Sequence, residues 1–413
     1  MVFCQNEKVS DIQNALDGLE LDTLIVTFDK GDLCSFNKFL ERGINGPSVN
    51  EFRPTDFNPE DTIGLLIATS GTTGLPKSAA VTHKSLVISG PYLWSRFHNF
   101  PTPTKIALVG SPLQWMSALV NFYLSTIFRY TRLQSSMDLT QKHAYHLINT
   151  YRPTFTIFSP TAMTTLLKSD DRDQCDFTCL DLIMLGGSAV PRDLIEEIKK
   201  IIPEAEVTDT YGASELITLV FQSDNAPHGS CGKPVGCFQY RLINVETKED
   251  IFEPRVPGEL WVRGPGIFKE YYNNPKATEE AFAEGRWFKT GDMFYRDENW
   301  NFFFVERIKL LLKYRSYQIS PVEIEGVIRQ HPGILDAAVT GIPDKEHGDL
   351  PVACVVKRPG HNVTSQEIKD LVKESLSDAK QLRGGVIFLD EIPMTASTKV
   401  HRRRLKEIAM NKI

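Results

Sequence analysis

Three apolar runs in this chain end in the same way. Ile106-Ala107-Leu108-Val109 runs into Gly110-Ser111-Pro112, Phe155-Thr156-Ile157-Phe158 into Ser159-Pro160, and Leu182-Ile183-Met184-Leu185 into Gly186-Gly187-Ser188; helix-forming sequence follows each. Runs apolar on both faces belong inside a protein, and their alternation with helices predicts a largely parallel sheet covered on both sides. Such sheets bind ligands beyond the carboxyl ends of their strands, where the small residues of this chain collect. Val207-Thr208-Asp209-Thr210, leading into Tyr211-Gly212-Ala213-Ser214-Glu215, follows the same plan. It brings an aromatic ring that can lie on a base, a hydroxyl and a carboxylate to one strand end. Glu215 can hold Mg2+ against phosphate oxygens, which is hard-cation chemistry.

The loop Ile67-Ala68-Thr69-Ser70-Gly71-Thr72-Thr73-Gly74-Leu75-Pro76-Lys77 adds a second constraint. Glycine N–H groups without Cβ atoms beside them, hydroxyls and a closing cation are what a triphosphate requires, since each phosphate oxygen accepts several charge-assisted hydrogen bonds. Ser70, Gly71, Thr72, Thr73, Gly74 and Lys77 are therefore nucleotide-binding candidates, and Ile63 to Ile67 reads as a buried strand feeding the loop. A P-loop enzyme is disfavoured, because Pro76 stands where that motif needs glycine before its lysine, and proline donates no N–H. Thr82 is the expected N-cap of a following helix.

Residues 1–60 open with a helical stretch, Asp11 to Leu19, and a β-rich one, Asp22 to Phe28. From residue 231 onward, short β-prone runs such as Glu259 to Arg263 between glycine turns predict a small β-rich subdomain. Within it Thr290-Gly291-Asp292 offers a carboxylate that can accept both vicinal hydroxyls of a ribose. Past Pro321 the pattern predicts helix 322–330, strands 335–342 and 351–357, helix 365–376 with a capping box from Thr364 to Glu367, and strand 386–390. The expected fold is α/β. A large domain, 1–306, holds covered mixed, mostly parallel sheets plus the β-rich subdomain, and a small α+β domain, 307–413, follows it. A polar loop then sets Lys399 apart from Arg402, Arg403 and Arg404.

With 413 residues, 41% of them apolar and 24% charged, the chain can fill two or more cores. A net charge of −6 argues against a nucleic-acid surface. No apolar run reaches bilayer length, so no transmembrane segment is expected. Seven cysteines without a CxxC pair, and scattered histidines, favour free thiols in a reducing compartment over disulfides or a metal cage. The expected class is a soluble intracellular enzyme.

In this order the motifs resemble those of the adenylate-forming superfamily, in the branch of beetle luciferases, 4-coumarate:CoA ligases and acyl-CoA synthetases, from Asp61 to Leu405. Ser70 to Lys77 is similar to the family's phosphate loop, Tyr211 to Glu215 to its adenine and magnesium motif, and Thr290 to Asp292 to its ribose motif. Glu306 and Arg307 fall on its hinge and Lys399 on its catalytic lysine. The resemblance implies two steps. A carboxylate attacks the α-phosphate of ATP to give an acyl-adenylate and pyrophosphate; the thiol of coenzyme A then displaces AMP. Medium- or long-chain fatty acids or aryl-substituted acids are the implied substrates, with Mg2+ as cofactor. Lys399 and Glu215 would serve the first step, with Gly187, Ser188, Gly212, Ser214 and Arg307 also on the nucleotide. A rotation about Glu306 would then replace the Lys399 face by the one bearing Lys313.

The chain departs from that family in places. Trp115 stands where relatives carry histidine, which marks Trp115 and Met116 as acyl pocket or gate; Ser316 and Thr398 replace glycines, and Leu310 replaces a polar residue. The family's opening segment is expected to be missing. Two alternatives follow: an impaired remnant that binds adenylate or acyl groups, and a luciferase-type monooxygenase. The resemblance places the protein in the peroxisome or cytoplasm, the tail Met410-Asn411-Lys412-Ile413 being half of a peroxisomal signal.

Overall fold

The computed structural model describes residues 1–28, 34–43, 50–69, 77–94, 105–137, 139–167, 171–222, 226–315, 317–395 and 399–412. The chain forms two compact units, Met1–Asn58 and Pro59–Ile413. In the first, Val2–Cys4, Ile25–Thr27 and Cys34–Ser35 make a parallel sheet in that order, with helices Val9–Gly18 and Phe36–Gly43. The β-rich stretch expected over Asp22 to Phe28 pairs only at Ile25–Thr27, whose side chains are all buried.

The second unit is built on a five-stranded parallel sheet ordered Glu206–Thr210, Leu182–Gly186, Phe155–Phe158, Ile106–Val109, Thr131–Gln134. From Ile106–Val109 the chain steps one way to Thr131–Gln134, then crosses back and continues outward in the other direction. Right-handed crossovers taken in opposite directions place their helices on opposite faces. Leu108, Ile183 and Leu185 accordingly pack on Gln141–Tyr151, Pro160–Leu167 and Arg192–Ile201, whereas Ala107, Phe155, Leu182 and Met184 pack with Val120 and Leu124 of Met116–Phe128. Both faces are covered, as the apolar runs require. The reversal opens a crevice at the carboxyl ends of the strands.

Gln239–Ile243, Gly258–Arg263 and Trp287–Arg296 form an antiparallel sheet, with Phe282–Ala283 and Phe302–Arg307 also paired to Trp287–Arg296. This is the expected β-rich subdomain, and Phe221, Phe268, Phe294 and Phe302 fill its core. Ile63–Thr69 differs from its reading. It folds back antiparallel on Lys77–Thr82, which also pairs with Glu270–Tyr271, and only Ile67 of its side chains is buried. An edge strand packs one face alone, so Leu66 is left half exposed. The loop between these strands, with Ser70, Gly71, Thr72, Thr73 and Gly74, lies outside the described residues. The cap beyond them is present: the Ser85 N–H donates to Thr82 Oγ1 at 3.2 Å, and the helix runs His83–Trp94.

In the last region Tyr317–Ile319, Leu312–Tyr314, Gly348–Lys357 and Ile334–Asp344 form an antiparallel sheet, to which Gly385–Phe388 adds in parallel. Helix Pro321–Arg329 packs on it, and Ser365–Ser375 begins with the expected Thr364–Glu367 capping box. Buried Glu325 accepts hydrogen bonds from the Val339 N–H at 2.8 Å and from Arg402, the first residue of helix Arg402–Lys412, while Arg329 lies within 3.7 Å. The carboxylate is held below the usual range: the neighbouring Arg402 and Arg329 guanidiniums outweigh the burial that opposes them.

Candidate active site

Tyr211 begins where strand Glu206–Thr210 stops, and its hydroxyl donates to Asp292 Oδ2 at 2.6 Å. Asp292 Oδ1 accepts from Arg307 Nε at 2.8 Å, and the two residues face each other across the ladder of Trp287–Arg296 and Phe302–Arg307. Thr290 Oγ1 accepts the Asp292 N–H and donates to the Leu260 carbonyl, which fixes the part of strand Trp287–Arg296 that presents the carboxylate, where a glycine turn was expected. Phe294 meets the Tyr211 ring edge-on at 4.7 Å. Asp292 is only 3% exposed, and a carboxylate so deep requires the charge partner it has. That same carboxylate raises the Arg307 pKa.

A second set of contacts surrounds Glu215. Its Oε1 accepts from the Tyr271 hydroxyl at 2.7 Å, and the Lys77 ammonium stands 4.8 Å over the Tyr271 ring. The Phe268 N–H donates to the Glu215 carbonyl at 2.8 Å, which ties this turn to the strand pair below. Ser214 opens the short turn Ser214–Leu216, after which Ile217 takes a left-handed φ of 65°. A buried β-branched residue in that region stores roughly 1–3 kcal/mol of strain, directly beside the candidate metal ligand.

Lys399 is brought to the same place from the far end of the sequence. A Cβ at Gly187 would lie 3.8 Å from Lys399 Cε, and Gly187 itself sits at φ +89°, which a side chain would strain. Lys399 is exposed to solvent, yet the protein packed around it and then Arg307 hold its ammonium below the usual lysine range, against the pull of Asp292 and Glu215. One lysine thus feels Arg307, Asp292 and Glu215 together. Ser188 follows Gly187 at the same strand end.

Met116 opens the helix Met116–Phe128, with Trp115 as its extended N-cap. A Cβ on Gly212 would stand 2.9 Å from the Thr218 carbonyl oxygen and 3.3 Å from Met116 Cε, so only glycine fits. Lys313, by contrast, is exposed on Leu312–Tyr314 with its N–H on Asp349, and no contact among the described residues joins it to Lys399. Ser316 and Thr398 lie outside the described residues.

Two groups were not singled out by sequence, and a third was read in one role alone. Tyr271, which bridges Lys77 and Glu215, gives no local signal. Asp209 lies on strand Glu206–Thr210, two residues before Tyr211, and burial pushes its carboxyl up to about 8. A carboxylate inside the run Val207–Thr210 was the available clue. Glu306 was read only as a hinge, but it is 3% exposed, has Oε1 on the Arg307 N–H and no partner for Oε2 among the described residues, and burial pushes it up to about 6.

Mg2+ fits this donor set. Among the described residues no group of three or more His, Cys, Asp or Glu makes a cage. A single carboxylate, Glu215, joined through Tyr271 to the candidate phosphate-loop lysine Lys77, suits an ion that keeps most of its octahedron for phosphate oxygens and water. No described helix is long and apolar enough to cross a membrane.

The AMP-binding enzyme family model matches residues 1–272, and the AMP-binding enzyme C-terminal domain model matches residues 323–399. Luciferin 4-monooxygenase of Photuris pensylvanica is 32% identical over 419 aligned positions, covering 99% of this chain and 76% of that protein. A 4-coumarate–CoA ligase of Vanilla planifolia is 30% identical, covering 98% and 73%. ATP-bound MatB from Rhodopseudomonas palustris superposes with a TM-score of 0.86 at 24% identity over 98% of this chain and 78% of that one, a likeness of fold. The O-succinylbenzoate coenzyme A synthetase of Bacillus subtilis in complex with AMP gives 0.77 at 26% identity, over 98% and 82%.

Proposed function

The chain belongs to the AMP-binding enzyme family, and from that premise we propose that it is an ATP-dependent carboxylic acid:CoA ligase acting on fatty or aryl-substituted acids through an acyl-adenylate. The observation that carries this reading is Lys399 set against Gly187 at the strand end, within electrostatic reach of Glu215, Asp292 and Arg307. Joining a carboxylate to a polyphosphate concentrates negative charge at one point, and donors already aimed there lower the barrier most. Lys399 supplies that charge to the α-phosphate and the incoming carboxylate. Tyr211 lines the base, Asp292 takes the ribose hydroxyls with the help of Arg307, and Lys77 with the loop before it holds the departing pyrophosphate. Mg2+ on Glu215 would neutralise phosphate charge.

For the second step the region after Glu306 turns about that residue, withdrawing Lys399 and bringing up the face with Lys313 for the coenzyme A thiol. We place the domain boundary there, with 1–306 binding nucleotide and acid and 307–413 moving. The peroxisome or the cytoplasm is the compartment that goes with this reading.

Acid-dependent exchange of pyrophosphate into ATP, followed by an acyl-CoA product detected by mass, is the expected result. Exchange without thioester on adding coenzyme A would overturn the ligase assignment. The luciferin 4-monooxygenase relatives supply the second reading, in which the adenylate is oxidised instead; light from luciferin, ATP and oxygen would select it. AMP binding with neither product would leave an adenylate-binding remnant.

A further inference from the structure

A second group of cations stands apart from the candidate active site. Strand Lys77–Thr82 starts with Lys77 over the Tyr271 ring and ends, about 16 Å away at roughly 3.3 Å per residue, with Thr82. At that far end an open cleft of about 420 Å³ is walled by Thr82, Lys84 and Ser85 on one side and by Arg263, Lys269 and Arg286 on the other. The two lysines have carboxylates beside them: Lys84 Nζ lies 2.6 Å from Glu60 Oε1, and Lys269 Nζ 3.3 Å from Asp61 Oδ1. The two arginines have none among the described residues. Arg263 gives Nε–H to Gln239 Oε1 and Nη1–H to the Gly285 carbonyl, and Arg286 gives Nη2–H to the Lys269 carbonyl. Arg263 Nη2 and Arg286 Nε and Nη1 are left without an acceptor among the described residues. Each guanidinium also lies on a ring, Arg263 4.5 Å over Trp287 and Arg286 4.1 Å over Phe282. Stacking fixes the plane of a guanidinium and keeps its edge donors open, the arrangement that matches an oxyanion. Four cations thus face two carboxylates in a chain whose net charge is −6, so the positive excess is local to this cleft.

We propose that this cleft is a second anion site, separate from the nucleotide site, that takes a phosphate dianion, either free or as the head of a small phosphate monoester. Arg263 and Arg286 supply the fork donors, and Lys84 supplies a point charge across from them. The Lys84–Glu60 pair is half exposed and worth little, so an arriving phosphate can take over the lysine at small cost. The start of helix His83–Trp94 contributes no donors of its own in its first turn: the N–H groups of His83, Lys84 and Ser85 already go to Thr62, Pro59 and Thr82. Side chains alone therefore carry the recognition. Phe268 lines the cleft, and its N–H holds the Glu215 carbonyl. An anion bound here sits behind the turn that bears the candidate metal ligand without entering the nucleotide site.

Calorimetry at fixed ionic strength, with inorganic phosphate and separately with glycerol 3-phosphate, tests the site on the full chain. Phosphate binding should weaken about tenfold or more in Arg286→Gln and in Lys84→Gln, because each removes a charged donor. Arg286→Lys keeps the charge without the fork and should fall between wild type and Arg286→Gln. Arg286 is exposed and Lys84 is half exposed, so these variants should melt like the wild type and report binding rather than folding. Tighter binding of glycerol 3-phosphate than of phosphate would assign the monoester, and the reverse order the free ion. Phosphate binding that falls in Lys77→Ala but is unmoved in Arg286→Gln would put the ion at the nucleotide site and overturn the inference. A folded wild-type chain that binds neither probe at millimolar concentration would overturn it as well.

Discussion

The two walls of the site are built differently. On the wall of Tyr211, Asp292 and Arg307 every functional side chain is held by at least one other, and the aspartate is almost wholly buried. Lys399, by contrast, is exposed, and its side chain feels Arg307, Asp292 and Glu215 as charges with no hydrogen-bond partner for its ammonium among the described residues. The first wall is preorganised to bind. On the proposed function the second is delivered to it, so binding and chemistry should separate under mutation.

Lys399→Ala should make the largest difference, lowering the rate of pyrophosphate exchange about 10²–10³-fold while AMP affinity stays within a small factor; a matching loss of AMP affinity would erase the distinction between the walls. Asp292→Asn is its mirror, expected to weaken AMP in calorimetry by about tenfold or more, because a charged hydrogen-bond pair is lost from a buried place. Next comes the mount of the lysine. Glu325→Ala leaves Arg402 and Arg329 without their buried carboxylate and should cost about 3 kcal/mol in urea unfolding. A variant that melts like the wild type would show that the delivered wall stands without that pair.

The pH dependence of stability tests the strand that leads into Tyr211. Asp209 carries its proton up to about 8 in the folded chain but has an ordinary value of 3.8 otherwise, so the native state binds the extra proton between those values. Stability therefore falls as pH rises from about 4 to about 8. Asp209→Asn should flatten that part of the melting-temperature profile, with its gain over wild type largest near pH 8. A gain independent of pH would mean that size, not charge, is at issue.

Local chemistry made much of this legible in advance. Thr364 and Glu367 announce their capping box because three residues suffice to build it, and Leu182 to Gly186 announces a covered strand because both faces are apolar. The pairing of Ile63–Thr69 with Lys77–Thr82 was not legible: an apolar run does not say whether its neighbour is parallel, and the edge position that exposes Leu66 is set by distant strands. Glu325 and Arg402 meet across 77 positions of sequence, and Tyr271 reaches Glu215 across 56, so neither pair has a local signature. The order of Tyr211, Asp292 and Lys399 along the chain marked the candidate site, and the fold brings the three into one region. The burial that shifts Asp209 and Glu306 is a property of the assembled core.

Arg402 lies three residues beyond Lys399 and is clamped to Glu325 in the helix Pro321–Arg329, which starts shortly after Glu306. The residues just after the lysine are thus tied by an ion pair to a helix that follows the proposed joint. Turning at Glu306 would carry the Lys399 mount bodily, like a key drawn from a lock, and the work of disengaging it would fall on one joint and the orphaned oxygen there, not on melting the segment that holds the lysine.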